Sequence, residues 1–148
     1  MKIVLNTNVL LISISDKSKH HWLYRALLDS AFDLYITNDI LTEYEEKINE
    51  HWHPDVAKTV LRTLMELSNV HQTIIYYQLK LITSDPDDDK FANCAFAANC
   101  DYLVSNDKDF NVLKLIAFPI ISVANLDEFE VILKNNWLNY DFKLRLKG

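Results

Sequence analysis

Short apolar runs typical of buried strands alternate along this chain with longer segments whose apolar residues recur at helical spacing. The strand-like runs cover about residues 2–5, 32–37, 102–104 and 118–123, and at least one helical or turn segment separates each run from the next. Parallel strands need long crossover connections, and helices commonly supply them. The alternation therefore predicts an α/β fold built on a parallel sheet.

The helical segments are read from periodicity and from capping residues. They cover about residues 19–29, 38–53, 54–67, 88–98 and 125–133. We expect Asn38 to cap the second of these helices, with Asp39 in the first turn where a negative charge favours the helix dipole. Asn125 and Glu128 have the spacing of a capping box at the start of the last helix. The run "VHQTIIYY" (70–77) is extended by composition.

Length and composition predict one compact domain. The chain has 148 residues, of which 49% are hydrophobic, with one glycine and three prolines. No apolar run approaches the roughly 20 residues that span a bilayer, and the start lacks a signal-peptide pattern. We therefore expect a soluble, cytoplasmic protein with no membrane partner. Cys94 and Cys100 lack metal-ligand spacing, so we expect buried free thiols.

The net charge of −6 is spread unevenly. Four acids fall within residues 85–89, whereas basic residues concentrate near residues 17–25 and 143–147. An acidic chain is a poor general binder of nucleic acid, because phosphate contacts depend on Lys and Arg. A nucleic-acid substrate is still compatible with this charge pattern, provided that a metal ion or a local basic patch neutralises the phosphate.

The end of the chain departs from the α/β pattern. From Tyr140, "YDFKLRLK" alternates apolar residues with mostly basic ones, and a period of two predicts a strand. We favour a structural role, covering a sheet edge or pairing with a second copy, over a nucleic-acid contact. The chain accordingly divides into a domain of residues 1–136 and a C-terminal extension of residues 137–148.

Several polar groups follow the predicted strands. Asn6 follows the first strand, Glu43 lies one turn into the helix after the second, and Ser105 and Asp107 follow the strand "YLV". Asp88 begins the helix that leads into that strand. Ligands in open parallel sheets bind outside the carboxyl ends of the strands, so these groups can converge if the first strand is central. Each residue alone is more typical of a turn, a cap or a solvated helix, and the combination carries the prediction.

Clustered carboxylates repel one another, so one of them must take up a proton or share a cation. A set of ligands that offers only oxygen suits Mg²⁺ or Mn²⁺. Two such ions can hold a phosphodiester and activate a water molecule. The sequence has no glycine-rich phosphate loop, and the histidine pairs near residues 20 and 52 lack the spacing of a helical zinc pair.

These motifs resemble the PIN domain family, in particular its branch of toxin components of bacterial toxin–antitoxin systems. The similarity covers roughly residues 1–130 and rests on three stretches: "IVLNTNVLL", "ITNDILTEYEEKI" and "DPDDDKFANCAFAANCDYLVSNDKDF". The resemblance implies a three-layer α/β/α domain with a mainly parallel sheet and a ribonuclease site that depends on Mg²⁺ or Mn²⁺. It also implies RNA as substrate, an antitoxin as protein partner and a homodimer.

The family's acidic positions fall on Asn6, Glu43, Asp88 and Asp107, and the resemblance assigns them as catalytic and metal-binding residues. Ser105 takes the place of a family Ser or Thr, and Asp87 is a possible substitute for Asp88. This chain departs from the family at Asn6 and at Asn93, where this branch often has an acid. An amide offers one carbonyl oxygen and no negative charge, so metal binding and catalysis should weaken.

Three functions stay open from the sequence. The first is an active metal-dependent endoribonuclease that hydrolyses RNA with a metal-activated water. The second is a PIN domain that has lost catalysis and binds RNA or a protein partner. The third is an unrelated phosphotransfer or phosphatase domain, which the lack of an aspartate after the first strand disfavours. Natural loss of the carboxylate and a deliberate Asp-to-Asn substitution are equally compatible with Asn6.

Overall fold

The structure is a computed structural model that describes residues 1–136. The basic alternating strand predicted for residues 140–147 lies outside the described residues, as does the proposed extension of residues 137–148. Within residues 1–136, no helix has the length and apolar character that crossing a membrane requires.

Five parallel strands form one sheet. They are β1 (Lys2–Leu5), β2 (Asp33–Ile36), β3 (Val70–Gln72), β4 (Tyr102–Val104) and β5 (Val123–Ala124). Their order is β3-β2-β1-β4-β5, and every neighbouring pair is parallel. The predicted parallel α/β sheet is confirmed, with β1 at its centre. Both sides of β1 are paired, since Ile3 is in register with Leu34 of β2 and Tyr102 of β4.

Helices flank the sheet in the three-layer α/β/α arrangement that the resemblance implies. They are α1 (Thr7–Ile14), α2 (His21–Leu28), α3 (Asn38–His51), α4 (Pro54–Glu66), α5 (Asp89–Ala97) and α6 (Leu126–Asn136). Two 3₁₀ segments, Pro86–Asp88 and Lys108–Leu115, precede α5 and follow β4. Helix α1 is absent from the predicted helices, because it is short and buries Val9, Leu10 and Leu11 together, so no amphipathic periodicity marks it.

The capping residues of two helices can be compared with those predicted from the sequence. Helix α3 is capped by Thr37, whose hydroxyl accepts a hydrogen bond from the Ile40 amide at 3.2 Å, so the prediction that Asn38 is the cap is wrong by one residue. The capping box before α6 is confirmed. The Asn125 side chain accepts from the Glu128 amide at 2.8 Å, and the Glu128 carboxylate accepts from the Asn125 amide at 3.0 Å.

The edge strands are shorter than the sequence predicts. After the three residues of β3, residues 74–82 belong to no helix or strand, although composition predicts extended structure up to residue 77. The last strand, predicted at residues 118–123, is observed at Val123–Ala124 and so shares only Val123 with the prediction. An edge strand is paired on one side only, so β-favouring composition alone does not keep its whole length in the sheet.

The core lies on both faces of the sheet and includes the fully buried Tyr44, Phe32, Phe91, Phe110 and Phe129. Tyr44 has a further role, because its hydroxyl donates to the Leu5 carbonyl at 2.6 Å. This bond ties α3 to the carboxyl end of the central strand. Both cysteines are free, with Cys94 buried and Cys100 partly buried, and burial raises the pKa of each thiol to about 12.

Candidate functional site

The site begins where the neighbouring strands β1 and β4 end. The Asn6 amide N–H donates to the Val104 carbonyl at 3.0 Å, which continues the pairing of the two strands by one residue. The Asn6 side-chain Nδ2 donates to Ser105 Oγ at 2.9 Å, and both residues are buried. Two residues 99 positions apart in the sequence are therefore in direct contact, as the central position of β1 predicts.

Ser105 connects this pair to Asp107. Its Oγ accepts a hydrogen bond from the Asp107 backbone amide at 3.0 Å. The Asp107 carboxylate accepts from the Asp109 amide at 2.9 Å and caps the 3₁₀ segment that follows. Asn106 faces a different partner, since its side chain accepts from the Leu126 amide at 2.9 Å. Three predicted positions, Asn6, Ser105 and Asp107, thus form one hydrogen-bonded chain.

Glu43 is held by contacts to two other elements. One carboxylate oxygen accepts a hydrogen bond from the Thr7 hydroxyl at the start of α1. The other oxygen lies 2.8 Å from Lys90 Nζ in the first turn of α5, and both side chains are only 16% exposed. Lys90 also lies 3.5 Å from Asp87, whose side chain is largely exposed. Burial lowers the pKa of Lys90, but these two carboxylates more than offset it and leave the pKa above its ordinary value.

Asp88 is the most perturbed carboxylate of the described chain. Burial, followed by the neighbouring charges of Asp85 and Asp107, raises its pKa from 3.8 to about 7. Glu43 and Asp109 act in the same direction at lower strength. Within the described residues, Asp88 Oδ2 is buried and has no hydrogen-bond partner. A buried carboxylate oxygen among like charges requires a proton or a cation.

A cation fits the oxygens at this position. Asp85, Asp88 and Asp109 each offer a carboxylate oxygen, and these oxygens lie within 4.8 Å of one another. Oxygens bound at about 2.1 Å around Mg²⁺ are themselves about 3–4 Å apart, so small side-chain rotations bring these groups to ligand spacing. The all-oxygen donor set suits Mg²⁺ or Mn²⁺. These three carboxylates therefore fit a divalent metal, but of the four ligands that the resemblance assigns only Asp88 belongs to the group.

Asp85, Asp109, Lys90 and Thr7 are site residues that the sequence analysis missed. Asp85 and Asp109 stand three and two residues from Asp88 and Asp107, inside the same acidic stretches. The repetition of aspartates within these two stretches could have indicated both residues. Lys90 and Thr7 gave none, because their role depends on how close α1 and α5 come to α3.

Glu43 and Lys90 line an open cleft of about 670 Å³ next to this cluster. Its lining includes neither Asp88 nor Asp107. Asp87 and Asn93, the two additional predicted positions, both line it. Asn93 is buried, and its side-chain oxygen accepts from the Leu79 backbone amide at 2.9 Å. In this structure Asn93 therefore anchors residues 74–82 beside the cleft.

All of the predicted site residues thus lie at one end of the molecule. Asn6, Ser105 and Asp107 are linked by hydrogen bonds, and the charges of Glu43 and Asp107 act on Asp88. Asp87 and Asn93 lie on the cleft side of this group. The arrangement concentrates negative charge around the buried Asp88 oxygen, and Lys90 pairs with Glu43 and Asp87 on the cleft side.

Comparison with known proteins agrees with this architecture. No curated protein matches the sequence. The fold is similar to that of a chain in the crystal structure of VapBC2 from Rickettsia felis bound to a DNA fragment from their promoter, with a TM-score of 0.60 and 19% sequence identity. That match covers 84% of this chain and 98% of the other, and at this identity it shows a shared fold. A family model described as PIN domain matches residues 2–109. The match spans most of the sheet and every predicted site residue, so this chain belongs to the PIN domain family.

Proposed function

We propose that this protein is a Mg²⁺- or Mn²⁺-dependent endoribonuclease that hydrolyses RNA phosphodiesters by attack of a water molecule. The observation that carries the proposal is Asp88 Oδ2, which is buried and unpartnered among the described residues and surrounded by carboxylates. It lies at the carboxyl end of the sheet, where parallel α/β folds bind ligands. Membership of the PIN domain family supports a nuclease over the phosphatase alternative.

Asp88 and Asp107 would hold the metal, and Asp85 and Asp109 are close enough to Asp88 to share in binding it. When bound, a divalent ion supplies positive charge that polarises the phosphoryl group and lowers the pKa of a coordinated water. Asn6 would act through its carbonyl oxygen or through a water molecule. Its hydrogen bond to Ser105, and that of Ser105 to the Asp107 amide, fix the loop that carries Asp107.

The other residues orient the reacting groups. Thr7 and Lys90 hold the Glu43 carboxylate in one position, from which it can accept a hydrogen bond or the proton of the attacking water. The water oxygen forms the new bond to phosphorus, and the bond to the leaving ribose oxygen breaks. Lys90 lines the cleft beside Glu43 and can contact the phosphate of the bound strand.

A role as the toxin of a toxin–antitoxin pair is part of the proposal. Its support is the resemblance of the three sequence stretches to that branch, together with a fold shared with a chain of a VapBC2 complex. On this basis we propose an antitoxin protein as partner, a homodimer as the assembled form and the cytoplasm as the location.

The test is cleavage of a mixed pool of single-stranded RNA in Mn²⁺. The parent protein is compared with the Asn6→Asp and Asp107→Asn variants, and thermal unfolding verifies that each is folded. We expect cleavage by the Asn6→Asp variant, weaker cleavage by the parent, and none by Asp107→Asn or in chelator. Metal-dependent cleavage that persists in Asp107→Asn would contradict the assignment of the site.

A second function is favoured by the two amides. Asn6 replaces a family acid, and Asn93 uses its side chain to anchor the backbone at Leu79. Both observations suit a PIN domain that binds RNA or a protein without cutting it. Folded parent and Asn6→Asp proteins that both fail to cut the pool would favour this function over catalysis.

A further inference from the structure

Two neighbouring tyrosines belong to the segment that borders the cleft and are almost fully exposed. Tyr76 is 81% exposed and Tyr77 is 79% exposed, in the segment of residues 74–82 that has no helix or strand. Aromatic side chains of this size are normally at least half buried, because their exposure to water is unfavourable. Neither ring contributes to the core of residues 1–136, so the packing of these residues gives no reason for the pair.

The segment is nevertheless held in place against the site. The Asn93 side chain accepts from the Leu79 amide at 2.9 Å, and the Asp89 side chain accepts from the Ile82 amide at 2.7 Å. Both anchors come from the first turns of α5, the helix that carries Lys90. Tyr76 itself lines a recess of about 220 Å³ together with Lys90 and Asn93, and these two residues also line the main cleft. The recess and the cleft are therefore adjacent.

The charges of the main cleft limit what can bind there. Among residues 1–136, its lining contains the acids Asp39, Glu43, Glu46, Asp87 and Asp89 but only the lysines Lys80 and Lys90. A strand of RNA gains little from phosphate contacts alone at such a surface. In the metal-free protein, binding must therefore come largely from the bases, and exposed aromatic rings bind unpaired bases by stacking, without regard to sequence.

We propose that Tyr76 and Tyr77 form a stacking platform for unpaired bases of an RNA strand whose phosphate enters the cleft beside Lys90. The inference deepens the proposed function, on which it rests, by naming the part of the substrate that this protein recognises. Single-stranded RNA is the occupant that fits, because its bases are free to stack, whereas the bases of a duplex are already stacked on one another. The platform should tolerate many sequences, since every base has an aromatic face.

Binding is measured in chelator, so that no strand is cut, by fluorescence anisotropy of a labelled RNA of about 12 nucleotides. The matched probe is an abasic strand of equal length, which keeps the phosphates and lacks the bases. The protein variants are Tyr76→Ala/Tyr77→Ala and Tyr76→Phe/Tyr77→Phe. The control variant is Phe118→Ala, since Phe118 is also 81% exposed but contacts Phe96 near the opposite end of α5.

We expect the parent to prefer the base-containing strand, and the double alanine variant to bind it about 5- to 100-fold more weakly. The double phenylalanine and Phe118→Ala variants should bind as the parent does. Because only two lysines line the cleft, the slope of log affinity against log salt should be no steeper than about −1.5. Equal binding by the parent and the double alanine variant, equal binding of the abasic strand, or no RNA binding at all would overturn the proposal. If the tyrosines prove irrelevant to RNA, a protein partner becomes the better occupant.

The two proposals fail in different ways. Tyrosine-dependent binding in chelator, with no cleavage in Mn²⁺ by either the parent or Asn6→Asp, would keep the platform and reject the nuclease. Cleavage in Mn²⁺ with binding that ignores the tyrosines would keep the nuclease and reject the platform.

Discussion

Asn6 is the residue on which the chemistry of this site depends most. It is buried, and its amide donates to Ser105 where the family has a carboxylate. An aspartate at this position could not donate, so the Ser105 hydroxyl would have to become the donor. The amide thus preserves the local hydrogen bond while removing one negative charge from a crowded group. The arrangement of the strands survives this exchange, and the electrostatics of the site change.

Asn6→Asp should strengthen Mn²⁺ binding and weaken the metal-free protein. A fifth charge near Asp88 costs stability without a cation, by about 1–3 kcal/mol, and attracts a divalent ion at least about tenfold more strongly. Thermal unfolding in chelator and in Mn²⁺ measures both effects. The variant should melt below the parent in chelator and gain more from Mn²⁺. An equal gain for both proteins would show that Asn6 lies outside the reach of the metal.

Asp88 should make the metal-free protein less stable as the pH rises. Its pKa is 3.8 in the unfolded chain and about 7 in the fold, so between these values the native state binds the extra proton. The free energy of unfolding therefore falls as the pH rises through this window and levels off above pH 7. Melting temperatures at pH 5 and pH 8 in chelator should differ more for the parent than for Asp88→Asn. Asp87→Asn, at an exposed position, is the control and should behave as the parent.

Helices α3 and α5 meet at the ion pair between Glu43 and Lys90. The pair lies beside the cleft and is mostly buried. If one partner were removed, water could therefore solvate the remaining charge only in part. Thr37 caps α3 directly before its first residue, Asn38, and Glu43 lies in the second turn of this helix. The hydrogen bond from Thr7 and the ion pair with Lys90 together place the Glu43 carboxylate, and the ion pair joins it to α5.

Lys90→Met should destabilise the fold by about 1–3 kcal/mol, because it leaves the Glu43 carboxylate partly buried without a cation. Urea unfolding of the variant measures the loss. Lys47→Met is the matched control, since Lys47 pairs with Glu50 at 3.3 Å on an exposed surface and should cost less than about 1 kcal/mol. Added Mn²⁺ should restore part of the loss if Glu43 then turns to the metal. Equal losses for the two lysines would show that burial does not strengthen the Glu43 pair.

The molecule as a whole brings these elements together through the sheet order. Because β1 is central, its carboxyl end lies between those of β2 and β4, and the residues that follow all three strands meet there. Tyr44 reinforces this meeting point, since its hydroxyl bonds to Leu5, the last residue of β1. This buried hydrogen bond thus ties α3, which carries Glu43, to the end of the central strand.

Tyr44→Phe should lower the free energy of unfolding by about 1–2 kcal/mol, the loss of one buried hydrogen bond. Urea unfolding followed by tryptophan fluorescence and by far-ultraviolet circular dichroism measures it. We expect the two transitions to coincide in the variant as in the parent, because the five strands and their helices share one core. Separate transitions would show that α3 unfolds independently of the sheet.

Local patterns in the sequence determined the element types, the parallel sheet, the capping box before α6 and the family. Each depends on residues within a few positions of one another, where helical or strand periodicity and cap chemistry act directly. Local patterns did not predict the cap of α3, the short helix α1 or the lengths of β3 and β5. Burial and edge pairing in the folded chain determine these features.

Only the tertiary structure shows which further residues contact the site and how its members are paired. The sequence alone identified Asn6, Glu43, Asp88, Ser105 and Asp107 as a group that meets if β1 is central. It could not show that Lys90 forms an ion pair with Glu43, or that the carboxylates of Asp85 and Asp109 lie close to that of Asp88. Nor could it show that Tyr76 lines a recess next to the cleft. Those contacts depend on distances between elements far apart in the chain, and such distances follow from packing and charge in the folded state.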